Sequence, residues 1–215
     1  GGNTVYTFGW QDSTKTHSWA NITGETNPDY QPPVLTDTTG YRRIVFSSAC
    51  SDISKSIKII VHKPILNNNI SLLAGGVTET ICNNQIPGQL QGNAATGGTG
   101  LPGDYAYQWK FSTDNSVFNA VSVGGTGITF QPLALTATTY YKREVISGAC
   151  NVSSNTVIIT VLPLITNNTI SGNAKVCYSL VPDILTGATL SGGSGVYKYL
   201  WEQSTNGGAS WTPAP

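Results

Sequence analysis

Four cysteines, two histidines and eleven carboxylates are the side chains of this 215-residue chain best suited to chemistry. A zinc site needs Cys or His ligands in closely spaced pairs. Cys50, Cys82, Cys150 and Cys177 form no C-x-x-C, and His17 and His62 stand apart. General acid–base work needs carboxylates that converge. Asp12, Asp29, Asp37, Asp104, Asp114 and Asp183 are scattered through the chain. No nucleophile elbow, H-E-x-x-H, P-loop or dinucleotide fingerprint occurs in a strand–turn–helix setting. GGTG at 97–100 and GGSG at 192–195 are glycine-rich, but no helix follows to cradle a phosphate. The runs NNNIS and NNTIS carry no acid, which disfavours calcium there. The expectation is a protein with no catalytic residue, no metal ligand and no cofactor.

The cysteines instead mark a repeat. Shifted by 100 positions, Gln31 to Ser71 aligns without a gap on Gln131 to Ser171, with 20 of 41 residues identical. Such a period suits autonomous domains in series rather than a solenoid. GGSGVYKYLW, from Gly192, aligns likewise on GGNTVYTFGW, from Gly1. The chain therefore reads as the back part of one domain (1–64), a whole domain (65–163) and the front part of a third (164–215), a window from a longer protein. Cys50 and Cys150 share one repeat phase; Cys82 and Cys177 share the other. In a sandwich, the turn after the tyrosine strand lies at the end where the first strand starts. A Cys82–Cys150 bridge is therefore expected, leaving Cys50 and Cys177 unpaired because their partners fall outside the chain. At ~3.3 Å per residue, Cys150–Cys177 would span tens of ångströms, against a ~7 Å Cα limit. One bridge per domain implies an oxidising compartment.

Period-two alternation between Gly-, Asn- and Pro-rich turns predicts the elements. TETIC, PGQLQGN, YAYQWKFS, Val117 to Val123, ITFQPL, TTYYKREVIS and SNTVIITVL read as short strands. Seven or so strands in about 100 residues fit an all-β, immunoglobulin-like or fibronectin-like antiparallel sandwich. Trp10, Trp109 and Trp201 share a mid-strand phase and are expected in equivalent cores. Leu135 precedes Tyr141, and Leu35 precedes Tyr41, by the spacing of a tyrosine corner. Tyr41, Arg43 and Val45, like Tyr141, Arg143 and Val145, should then face inward. Arg43 and Arg143 stand where an antibody domain carries its inter-sheet cysteine. The guanidinium should lie on an aromatic face with its charge near the rim; the alternative is an exposed arginine on an edge. Trp19 and Trp211 are candidate ligand-facing aromatics, although Phe118 at the same phase also suits packing.

Charged residues are 10% of the chain, with Lys+Arg balancing Asp+Glu at 11 each. That balance gives no footprint for nucleic acid or an anionic membrane. No apolar run approaches the ~20 residues that insert in a bilayer. The pattern as a whole resembles the immunoglobulin-like/PKD-like tandem repeats of very large secreted surface proteins of Bacteroidota, including gliding-motility adhesins. The residues that carry it are Cys177, Pro182, Leu185, Gly187, GGSG at 192–195, YKYLWEQS at 197–204, LTATTYYKREVISGAC at 135–150, SNTVIITV at 154–161 and NNTIS at 167–171. The first copy departs at Gly40 and in SDISKSIKIIV. The resemblance implies a secreted, cell-surface, non-enzymatic stalk or adhesive array, exported by type IX secretion, whose partners are neighbouring repeats and surface polysaccharide or proteins. KPILNNNIS and LPLITNNTIS are expected to be linkers holding the beads end to end. The alternative is a carbohydrate- or protein-binding accessory module of a secreted enzyme.

Overall fold

The computed structural model describes residues 5–172 and 175–214. Gly1–Thr4, which open the GGNTV match, lie outside the described residues, as do Asn173, Ala174 and Pro215. The described chain is all-β. It divides into two compact units, one of residues 1–68, 93–107 and 144–153, the other of residues 69–92, 108–143 and 154–215.

In the first unit, β1 (Thr7–Ser13), β2 (Ala20–Ile22), β3 (Thr39–Ser47), β4 (Cys50–Ile53) and β5 (Ile57–Ile59) make one sheet in the order β2-β1-β3-β4, with β5 also on β3. β1 is antiparallel to β3, with Trp10 opposite Arg43 and Asp12 opposite Tyr41. Tyr30 packs between Trp10 and Tyr41, its ring centroid 5.6 and 5.8 Å from theirs. β6 (Lys63–Leu66) is a strand of this unit too.

The second unit contains a two-sheet sandwich. One sheet is built from β7 (Ile70–Leu72), β9 (Leu90–Gly92) and β13 (Thr129–Phe130). The other contains β8 (Thr78–Cys82), β11 (Ala106–Ser112), β12 (Asn119–Ala120), β14 (Thr139–Ser147) and β16 (Val157–Leu162), in the order β12-β11-β14-β16-β8. β8 runs parallel to β16, whereas β11–β12, β14–β16, β7–β9 and β9–β13 are antiparallel. A first strand divided between both sheets, its second half parallel to the last strand, is an immunoglobulin-like arrangement. The core between the sheets holds Ile70, Leu72, Ile81, Leu90, Trp109, Phe130, Tyr141, Val157 and Ile159. Burial of this much aliphatic and aromatic surface is the main stabilising term. In the first unit, β10 (Thr96–Gly98) pairs with β6, and β15 (Cys150–Ser153) pairs with Glu144–Ser147. Ile65, Ala95 and Val145 form a smaller cluster in this unit.

β14 shows the expected inward alternation: Thr139, Tyr141, Arg143, Val145 and Ser147 are buried and the residues between them less so. β11 does not keep it. After Trp109 the buried residue is Ser112 rather than Phe111, because the Ser112 hydroxyl turns in to meet Asp114 at 2.7 Å. Ile65, Asn68 and Ile70 of KPILNNNIS are buried, as is Leu72 after it. Asn155 accepts from the Ile70 N–H at 2.8 Å and donates to its carbonyl at 2.9 Å, fixing β7. LPLITNNTIS contains β17 (Ile170–Ser171), which pairs with β18 (Thr186–Gly187); β19 (Glu202–Gln203) and β20 (Thr212–Pro213) form a second small ladder. Trp201 is consequently exposed, not core like Trp109: among the described residues of the third copy no second sheet lies over it.

Candidate functional site

Gly92 and Arg143 occupy facing strands where an antibody domain joins its sheets with a disulfide. Arg143 is fully buried at 0% exposure. Its Cζ lies 5.9 Å from the centroid of the Trp109 ring, and its Nη1 donates to the Ile128 carbonyl at 3.4 Å. A Cβ on residue 92 would stand 2.0 Å from that Nη1, so only glycine leaves room for the guanidinium. The indole N–H of Trp109 donates to the Gly127 carbonyl at 2.9 Å. The charge is thus sunk between the sheets and not left at the rim. Burying a cation is costly unless it is bonded and stacked, as here.

The first copy repeats the constellation. Arg43 donates to the Pro28 carbonyl at 2.8 Å, and Trp10 donates to the Asn27 carbonyl at 3.0 Å. Arg43 Cζ lies 6.0 Å from the Trp10 ring and 5.1 Å from that of Phe8. The backbone of each arginine is held alike too. Ser54 and Ser154 each accept from the preceding arginine's N–H at 2.9 Å. Arg43, Trp10 and Val45 are only half-buried, unlike their counterparts. The tyrosines act through their rings: Tyr141 packs on Phe130 at 5.8 Å, and burial pushes its phenol up to about 12.

The candidate ligand-facing aromatics separate. Trp19 is half-buried under Arg42, whose Cζ is 4.4 Å from its ring centroid, and Phe118 carries Lys142 at the same distance. Both are packed by a cation. Trp211 is exposed. The acids build turns. Asp104 accepts from the Thr99 and Ser147 hydroxyls. The Ser112 hydroxyl, with the Ser116 and Val117 N–H groups, holds the Asp114 carboxyl well below the usual range. Asp12 lies 3.7 Å from His17. Among the described residues no three His, Cys, Asp or Glu side chains converge as metal ligands would.

No disulfide joins the cysteines: Cys50, Cys82, Cys150 and Cys177 are all free. The expected Cys82–Cys150 bridge is not made. Cys82 closes β8, opposite Leu162, and Cys150 opens β15, opposite Ser147.

Sequence reasoning missed a cavity of about 380 Å³ in the second unit, lined mainly by Phe111, Val121, Phe130, Leu133, Leu135 and Tyr141. Its walls are apolar apart from hydroxyls, so it can hold an apolar group but offers no acid, base or charge.

A family model matches residues 1–63 and 74–163, the two stretches that carry the repeated arginine, tryptophan and tyrosine. The chain belongs to the DUF8696 family, a domain of unknown function. No curated protein matches this DUF8696 chain. Among solved structures it is similar to murine CEACAM1b, at 13% identity and a TM-score of 0.39, over 72% of this chain and 85% of that one. In DUF8696 terms, the buried Arg143–Gly92–Trp109 tie belongs to the part of the chain that defines the family.

Proposed function

We propose that this chain is a non-catalytic repeat segment of a very large cell-surface adhesin, a stalk or filament that spaces and displays adhesive regions, with a role in gliding motility. The observation that carries this reading is the repetition itself. Two copies spend the same residue types on the same bonds, Arg to carbonyl and Trp to carbonyl. What is kept in both copies is architecture. The partners in this reading are neighbouring repeats and surface polysaccharide or protein, outside the cell and on its surface. Fluorescent antibody against the chain should stain intact cells of its source. Deleting its repeats should reduce attachment or gliding without removing any hydrolase activity from the medium. Unstained cells, or deletion mutants that attach and glide normally, would refute the reading.

The alternative is an accessory module that brings a secreted enzyme to carbohydrate or protein. It is favoured by the exposed Trp211 and by the apolar cavity beside Phe111. Binding on a glycan array that is lost in Trp211→Ala would favour the module over the stalk.

A further inference from the structure

The apolar cavity of the second unit is lined by one deeply buried side chain whose polar atom has no partner. Tyr141 is 4% exposed, and its ring packs on Phe130. In a tyrosine corner its hydroxyl would return to the backbone just upstream. Here, among the described residues, nothing bonds that hydroxyl, although Thr139 beside it donates to the Ala137 carbonyl at 2.9 Å. No side-chain oxygen sealed from solvent lacks a partner among the described residues, so the Tyr141 hydroxyl is reached through the cavity that Tyr141 lines. A hydroxyl held between apolar walls without a partner is unfavourable, and a ligand that bonds it removes the penalty.

The lining of the cavity is not part of the repeated architecture. Leu135, Thr139 and Tyr141 recur as Leu35, Thr39 and Tyr41. Phe111, Leu133 and Ala137 do not. Leu133 and Ala137 align on Pro33 and Asp37, and Phe111, two residues past Trp109, aligns on Asp12, two past Trp10. The first copy thus carries two carboxylates where the second carries a phenyl ring and a methyl group. A shared frame with a changed lining is how a scaffold comes to bear a site.

We propose that this cavity binds a free small molecule, an uncharged compound of one or two rings with an oxygen that bonds the Tyr141 hydroxyl. The volume, about 380 Å³, falls within the roughly 300–1,000 Å³ of small-molecule sites. An apolar cavity of about 150 Å³ already takes benzene. Phe111, Phe130 and Tyr141 offer ring faces and edges to a flat ligand. No charged residue lines the cavity, so an ion would lose its hydration there without compensation. Leu133 is 81% exposed and Phe111 37%, which leaves the rim open for entry. The inference goes beyond both readings above, which concern macromolecules, and stands whichever of them holds.

Methyl-resolved NMR on the full 215-residue chain, titrated with benzyl alcohol, toluene and benzoate, tests it. Benzyl alcohol and toluene should each shift the Val121, Leu133 and Leu135 methyl signals saturably, and benzoate should not. Tyr141→Phe keeps the walls and removes the hydroxyl. It should weaken benzyl alcohol about two- to tenfold, the worth of one neutral hydrogen bond, and leave toluene no weaker. Phe111→Asp, which restores the residue of the first copy, should abolish both; where it does not fold, Tyr141→Phe decides alone. The proposal is overturned if neither neutral probe saturates, if benzoate binds as tightly as benzyl alcohol, or if a folded Phe111→Asp chain still binds. It is equally overturned if Tyr141→Phe leaves benzyl alcohol unchanged or weakens toluene as much. Shifts of the same methyl signals on concentrating the chain alone would also overturn it, because a side chain of another molecule then fills the cavity.

Discussion

Arg143 and Gly92 are a matched pair, and their coupling is measurable. Gly92→Ala puts a methyl group where the guanidinium lies, an overpacking expected to cost about 1–3 kcal/mol. In an Arg143→Ala background the same methyl group meets open space, and that penalty should vanish. A double-mutant cycle by urea denaturation reads the difference, and additive effects would show that the two do not share one space. Tyr141 supplies a pH-dependent term. Burial pushes its phenol up to about 12, against about 10 in an unfolded chain. Below pH ~10 both states hold the proton and the contribution is complete. Between about 10 and 12 only the unfolded state releases it, so stability falls as pH rises through that window. Melting temperatures from neutral to strongly alkaline pH should fall more steeply for the parent than for Tyr141→Phe. Equal slopes would show that Tyr141 does not carry the effect.

At the scale of elements, β11 and β7 have opposite sources of strength. β11 is anchored by one large side chain. Trp109→Ala should cost about 3–5 kcal/mol, seen as a lower midpoint in denaturant. β7 is three residues long and is held by Asn155, which bonds both its N–H and its C=O. Asn155→Ala should cost about 1–3 kcal/mol and speed amide exchange at Ile70 before the core exchanges. The sequence is readable for β8, β14 and β16, because alternation of apolar and polar residues is the direct signature of a sheet with one buried face. It is silent on β6 and β7. KPILNNNIS reads as polar loop because Asn67, Asn68 and Asn69 interrupt its apolar residues. The inward arginine was legible from its phase, but its depth was not. Depth depends on Gly92, distant in sequence and informative only once the strands face each other. Trp201 shares the phase of Trp109 and lacks its cover, which is a property of the surroundings and not of the strand.

For the whole molecule, the cysteines decide what holds each bead together. Alkylation without reductant followed by mass mapping should find Cys82 and Cys150 unbridged, as they stand in the structure. A recovered Cys82–Cys150 peptide would contradict that. Without the bridge, the case for an oxidising compartment no longer comes from cysteine pairing and rests on the resemblance to surface repeats. The arginine set between two sheets has a consequence for manufacture. A tie made from a cation, an indole and a carbonyl has no oxidised and reduced forms. It needs no oxidant, no isomerase and no partner selection among thiols, and its correct pairing is specified by one glycine. Dithiothreitol should accordingly leave the melting curve where it was.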